Sequence, residues 1–312
     1  MTQLQKRSAR TVSIILFILP ALCIYSLFFA YPALSALRYS FYSWNGIGDM
    51  KWVGLGNFIK LFTEAPWNAQ WLNALLHNLL VLVEANLIQT PLALLFALLL
   101  HQRLFGFRFF RTVLFLPVVL SSIAVSFIWS MMLNPMAGVI NVGLQRIGLG
   151  VLAMPWLGDP TYALTVINLI GIWKGMALPM LLFLANLQSI DQALIDAATV
   201  DGASGWQVLC YIRFPLLAPS LTVVTLLTFV GCFGIFDFIY VLEGAMAGPF
   251  GSTDVLETLF YRNAFGGVQT GGGNMGDFGF ACTIGLVTAI IVMSIGFTGL
   301  KKLRSREGAI SR

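Results

Sequence analysis

The stretch DQALIDAATVDGASGWQVLCYIRFPLLAP, residues 191–219, decides how the rest of the chain is read. It lies between two long apolar runs, yet it carries Asp191, Asp196, Asp201 and Arg213, charges that hydrocarbon does not accept without partners. Its pattern predicts two short helices joined at a turn. Asp191 is placed to cap the first, whose Ala193, Leu194, Ala197 and Ala198 fall on one small-residue face. Asp201-Gly202 ends that helix, because Gly tolerates the left-handed geometry of a C-terminal cap. Ser204 is placed to cap a second helix through Trp206, Leu209 and Ile212, which Pro215 is expected to close. A chain that only reverses direction between two membrane segments has no need of such a knuckle. Small side chains on one face admit another backbone closely, which suits docking of a soluble partner.

Working outward, the 312 residues are 58% hydrophobic and 10% charged, with mean hydropathy +0.85. Globular chains carry about 25% charged residues, so this is no ordinary soluble domain. Several apolar runs reach the ~20 residues needed to cross the ~30 Å hydrocarbon layer. The expected class is an all-α polytopic membrane protein; continuous rather than alternating runs exclude a β-barrel. The net charge of +5 comes from basic residues beside apolar runs, where they set topology rather than bind nucleic acid. Cys23, Cys232 and Cys282 fall in apolar runs and Cys210 in the knuckle, a pattern of small hydrophobes rather than disulfides.

In order, residues 1–10 form a basic start, and 11–32 the first span, too long for a signal-peptide core and expected to kink at Pro20. Residues 33–73 form an aromatic-rich loop whose Trp44, Trp52, Phe58 and Trp71 suit a membrane-interface belt. Further spans are expected at about 74–100, 112–133, 161–187, 216–242 and 280–300, the last five within a core at 74–300. A basic tail follows at 301–312. With the N-terminus inside, Lys6, Arg7, Arg10, Arg103, Arg108, Arg111, Arg213, Lys301, Lys302, Arg304, Arg306 and Arg312 are cytoplasmic. Arg38, Lys51, Lys60, Arg146 and Arg262 are outside. Twelve against five obeys the positive-inside rule and puts the knuckle in the cytoplasm.

Chemistry is sparse. No G-x-x-x-x-G-K-[ST] phosphate loop occurs, and the run Gly271-Gly272-Gly273-Asn274-Met275-Gly276 lacks the Lys and hydroxyl that would make one. The only histidines, His77 and His101, support no metal site or nucleophilic relay, so no enzyme is expected. Polar residues expected at membrane depth are Glu84, Asn86, Gln89, Asn168, Lys174 and Asp237, each facing protein or water. Lys174 and Asp237 could neutralise each other across spans. For Asn86, Gln89 and Asn168, interhelical bonding and ligand contact remain equally open.

Residues 191–219 resemble the cytoplasmic EAA loop of ABC-importer permeases, whose pattern is E-A-A-x-x-D-G-A, five variable residues, then F-x-x-I-x-x-P-x-x-x-P. Here it reads Asp196-Ala197-Ala198, Asp201-Gly202-Ala203, Leu209, Ile212, Pro215 and Pro219, with Asp196 in place of Glu and Leu209 in place of Phe. Trp173-Lys174-Gly175 with LANLQSI, and Phe236 to Leu242, are similar to the family's fourth and fifth spans, while its T-G-G-G-P run is altered at Glu243 to Pro249. The resemblance implies the carbohydrate branch of type I importers. It implies a MetI-like permease fold of six transmembrane helices, the first wrapping a second permease subunit. Asp196, Ala197, Ala198, Asp201, Gly202, Ala203, Leu209, Ile212 and Pro215 would couple to the ATPases. Positions matching the cavity of maltose-type relatives are Gly171, Lys174, Gly175, Leu178, Val230, Gly234 and Asp237; Asn168, Trp173, Glu84 and Asn86 complete the expected substrate pathway. No cofactor is implied in this chain: two partner ATPase subunits would hold ATP and Mg, and an extracytoplasmic sugar-binding protein would deliver substrate. The chain would sit in the cell membrane with both termini cytoplasmic. Competing readings are carriage of glycerol phosphate or another polar solute, an ion-coupled transporter using Glu84, Lys174 and Asp237 as a charge relay, and a non-transporting scaffold.

Overall fold

Within hydrocarbon every backbone N–H and C=O must find its partner inside the segment, so long apolar runs have little choice but to be helical. A computed structural model describes residues 15–102, 106–266 and 276–310, and there the runs are helices. They are α1 (Ile15–Tyr39), α2 (Gly56–Thr63), α3 (Trp67–His101), α4 (Phe107–Val119), α5 (Ser122–Met132), α6 (Val139–Arg146) and α7 (Ala163–Gly175). There follow α8 (Ala177–Ser189), α9 (Gln192–Val200), α10 (Gly205–Val208), α11 (Ala218–Phe233), α12 (Asp237–Glu243), α13 (Leu256–Phe265) and α14 (Phe278–Ile310). Lys6, Arg7, Arg10, Arg103, residues 271–275 and Arg312 lie outside the described residues. Four helices are long and apolar enough to cross a membrane, and six crossings result when the two bent pairs count as one span each.

The spans are less regular than a hydropathy reading suggests. Helix α1 runs on to Tyr39 rather than ending at Pro32, and α3 starts at Trp67, so Trp71 is helical. The irregularity in α1 is not at Pro20 but in a π-helical segment, Ser26–Ala30, just before Pro32. A matching π segment, Leu209–Arg213, precedes Pro215. In both, the wider turn takes in the carbonyl four residues before the proline, which has lost its N–H partner. The expected third span is not straight: the axes of α4 and α5 meet at 100°, with Leu120 extended and the Ser121 hydroxyl capping α5 through the Ala124 N–H. Helices α7 and α8 meet at 43°. The fifth span is interrupted at residues 234–236 and resumes as α12.

Packing divides the chain into two compact units, residues 1–68 with 263–287, and residues 69–262 with 288–312. In the first, β1 (Tyr42–Ser43) and β2 (Lys51–Trp52) pair antiparallel. The buried Asn57 amide donates to the carbonyls of Ser40 and Tyr42, both at 2.9 Å, pinning this loop to α2. Aromatic rings pack around it: Trp44 lies against Tyr39 and Phe278, and Phe41 against Trp52 and Phe58. Only glycine fits at position 279, where a Cβ would come within 1.9 Å of the Tyr42 carbonyl oxygen. That explains the small residue in the run Phe278-Gly279-Phe280. In the second unit one apolar cluster joins α3, α7, α11 and α12 around Val81, Ile167, Cys232 and Ile239. Another joins α3, α8 and α11 around Ala97, Phe183, Leu187 and Val224.

Candidate functional site

The knuckle forms as two capped helices. Asp191 accepts from the Ala193 N–H at 3.0 Å and starts α9. Its end is a Schellman turn: the Ala203 N–H reaches back to the Ala198 carbonyl at 2.9 Å and the Gly202 N–H to Thr199 at 3.1 Å. Gly202 sits at φ +85°, the left-handed conformation this turn requires. Ser204 and Gln207 form a reciprocal capping box at the start of α10. Pro215 does not close the second helix, contrary to expectation. The chain stays helical from α10 through Leu209–Arg213 and Phe214–Leu216 to Leu217, from which α11 departs.

The residues expected to couple to a partner are brought onto this piece. Asp196 is exposed and accepts from Gln192 at 2.9 Å; Ala197 is exposed and Ala198 and Ala203 half-buried; Asp201 closes α9. Leu209 and Ile212 lie in the π segment, and Pro215 just beyond it. Large apolar side chains on the knuckle are bare, among them Val200 at 87%, Tyr211 at 78% and Trp206 at 72% exposure. Exposed apolar surface of that kind is found at protein–protein and membrane interaction sites.

The spans on either side of the knuckle frame a cavity of about 260 Å³. Its wall draws on α3 (Val81, Ala85, Gln89), on α7 and α8 (Asn168, Gly171, Gly175, Leu178, Pro179), and on α11, the 234–236 break and α12 (Thr228, Gly231, Gly234, Phe236, Asp237, Phe238). Two backbone faults shape it. Pro179 cannot donate to the Gly175 carbonyl, and the freed oxygen accepts from Gln89 Nε2 at 3.1 Å instead. At the second fault the Cys232 carbonyl, left free by the end of α11, accepts from Asn78 Nδ2 at 2.8 Å. Asp237 opens α12 and is exposed, its carboxylate at the positive end of the helix.

Of the expected pathway residues, Asn168, Gly171, Gly175, Leu178, Gly234 and Asp237 line the cavity. The others do not. Glu84 is engaged on both oxygens, by Thr165 Oγ1 and by Asn168 Nδ2, each at 2.7 Å. Asn86 donates to Leu82 in its own helix. Trp173 stacks edge-on against Trp129 at 5.8 Å and faces a groove with Val113 and Pro117. Val230 is exposed and Lys174 half-buried, both off the cavity wall. Among the described residues no ion pair joins Lys174 to Asp237. Sequence reasoning singled out neither Asn78, which is fully buried, nor Thr228 and Phe236. A lone Asn in an apolar helix was the available signal for the first. Among the described residues no three His, Cys, Asp or Glu side chains are grouped as metal ligands.

Comparisons with known proteins agree with this architecture. The sequence profile of the family described as "Binding-protein-dependent transport system inner membrane component" matches residues 89–300. The chain is 30% identical to the lactose transport system permease protein LacF of Rhizobium radiobacter, over 94% of each chain. It is 32% identical to the trehalose/maltose transport system permease protein MalF of Thermococcus litoralis, again over 94% of each. Its fold matches a chain in the crystal structure of a bacterial ABC transporter involved in the import of the acidic polysaccharide alginate, with TM-score 0.80 and 23% identity over 97% of this chain and 99% of that one. The matched profile, full-length relatives that are permeases, and a six-span helical fold with a capped knuckle converge. The chain belongs to the family of inner-membrane components of binding-protein-dependent transport systems.

Proposed function

We propose that this chain is the permease subunit of an ATP-binding-cassette importer for a neutral sugar or oligosaccharide. The observation that carries the reading is that α7–α8 and α11–α12, which line the cavity, are the spans that enter and leave the knuckle. Force applied to α9 and α10 from the cytoplasm therefore acts on the cavity walls through two helices. Two partner ATPases, which hold ATP and Mg, dock below this chain and a second permease; Ala197 and Ala198 enter the groove of one of them, and the Asp201-Gly202 turn sets the angle between the two knuckle helices. Closure of the ATPase pair draws the knuckles of this chain and a second permease together, and the cavity changes the side to which it opens. The bare apolar length of α1, with Phe17 at 87% and Phe28 at 73% exposure, suits packing against that second subunit.

Relatives named for lactose and for trehalose or maltose support a sugar. The cavity wall supports a neutral one. It pairs hydrogen-bonding groups (Gln89, Asn168, Thr228) with the rings of Phe236 and Phe238, and its one charge is the carboxylate of Asp237. A phosphorylated or acidic solute calls for cationic groups there, and Lys174 is not on the wall. Glu84, held by Thr165 and Asn168, and Lys174 both lie off the cavity wall, which favours this reading over a charge relay through Glu84, Lys174 and Asp237. A cavity of about 260 Å³ is small beside typical ligand pockets of ~300–1,000 Å³, which fits half of a chamber completed by the second permease.

The test is ATP hydrolysis by this chain reconstituted with a second permease, ATPase subunits and a sugar-binding protein. Neutral sugars added with the binding protein are expected to stimulate hydrolysis several-fold, and Asp237→Ala to change that sugar dependence without loss of assembly. Stimulation by glycerol phosphate alone overturns the substrate assignment, and unchanged sugar dependence in Asp237→Ala overturns the role of that carboxylate in lining the pathway.

A further inference from the structure

Asn78 joins two backbone groups that have no other reason to be tied. Its side chain is fully buried on α3. Nδ2 donates at 2.8 Å to the carbonyl of Cys232, in the last turn of α11, and Oδ1 accepts at 2.9 Å from the N–H of Leu256, the first residue of α13. One is an orphan acceptor at a helix C-terminus and the other an orphan donor at a helix N-terminus. The asparagine amide supplies the donor for one and the acceptor for the other.

What hangs on each end is mechanically distinct. On the Leu256 side, Arg262 grips Asp254 through two bonds at 2.6 and 3.2 Å, and Thr258 Oγ1 donates to Asp254 at 2.7 Å while accepting from the Val255 N–H. Residues 254–262 therefore move as one stiff body, and His77, next to Asn78, donates to the Asp254 carbonyl at 2.7 Å. On the Cys232 side lies the 234–236 break, with Asp237 immediately beyond it on the cavity wall.

We propose that Asn78 is a positioning residue that transmits displacement of the 254–262 body to the break in the fifth span, so that a contact made outside the membrane resets the cavity wall. This rests on the transport reading above and on the expected position of Arg262 outside the membrane, and it takes 254–262 as the segment the binding protein touches. Leucine at 78 keeps the volume and removes both links.

The experiment uses the whole reconstituted complex with its binding protein and two readouts. In the wild type, adding sugar-loaded binding protein is expected to change amide exchange in 254–262 and in 234–237 together. In Asn78→Leu, the response in 254–262 persists, that in 234–237 is lost, and the ratio of stimulated to basal ATP hydrolysis falls from several-fold towards one. A part that only stabilises the fold shifts basal exchange in both segments and leaves that ratio alone. A wild type in which 254–262 responds and 234–237 does not overturns the proposal whether or not the variant assembles, and so does an unchanged ratio in Asn78→Leu. No stimulation at all in the wild-type complex overturns the transport reading itself, and this link with it.

Discussion

Gln89 shows how a single side chain can hold a membrane helix in a bent shape. Pro179 removes one N–H from the fourth span, the Gly175 carbonyl loses its partner, and an amide from α3 replaces it at 3.1 Å. Replacing Gln89 by Leu leaves that oxygen without a protein donor at a cost of roughly 1–3 kcal/mol, less whatever cavity water recovers. The thermal midpoint in detergent is expected to fall; a midpoint equal to wild type shows that water takes over the bond. Glu84 teaches the opposite lesson. As a lone carboxylate in an apolar run it reads as part of a conduit, but both oxygens are taken by groups 81 and 84 positions away in sequence. No local pattern announces such a partner, whereas Asp191, Ser204 and Gly202 act on neighbours within three residues and were legible for that reason.

At the scale of elements, the knuckle is the piece whose internal geometry owes least to the rest of the molecule. Caps, turn and capping box are all local, and nothing lies within 4 Å of a Cβ placed on Gly202. Aspartate tolerates left-handed backbone better than most residues, so Gly202→Asp is expected to leave the spans assembled. A branch there meets a docked partner rather than this chain, and transport is expected to be abolished while membrane insertion is retained. Uptake at the wild-type rate, with insertion checked by labelling, would count against a coupling role for this turn. Pro215, expected to end the knuckle's second helix, does not: the chain stays helical through the π segment Leu209–Arg213 and on to Leu216.

For the molecule as a whole, surface left bare says as much as surface buried. Helix α1 buries none of its apolar window within this chain, the knuckle exposes Val200, Trp206 and Tyr211, and the cavity is smaller than a typical ligand pocket. A chain so incomplete is expected to move no solute when purified alone into vesicles, with or without an ion gradient. Solute uptake measured under those conditions would return an ion-coupled mechanism to consideration. Composition and pattern by themselves determined the class, the number of crossings and the knuckle, since hydrocarbon thickness and helix capping act on residues close together in sequence. Only the tertiary structure decided which intramembrane polar groups face the cavity and which bind helices together. It also located the breaks at Leu120 and Gly234 and gave Asn78 its two partners. The physical reason is that a polar group in a low-dielectric interior goes wherever an orphan backbone atom lies, and those atoms come from helices 80 to 180 residues apart.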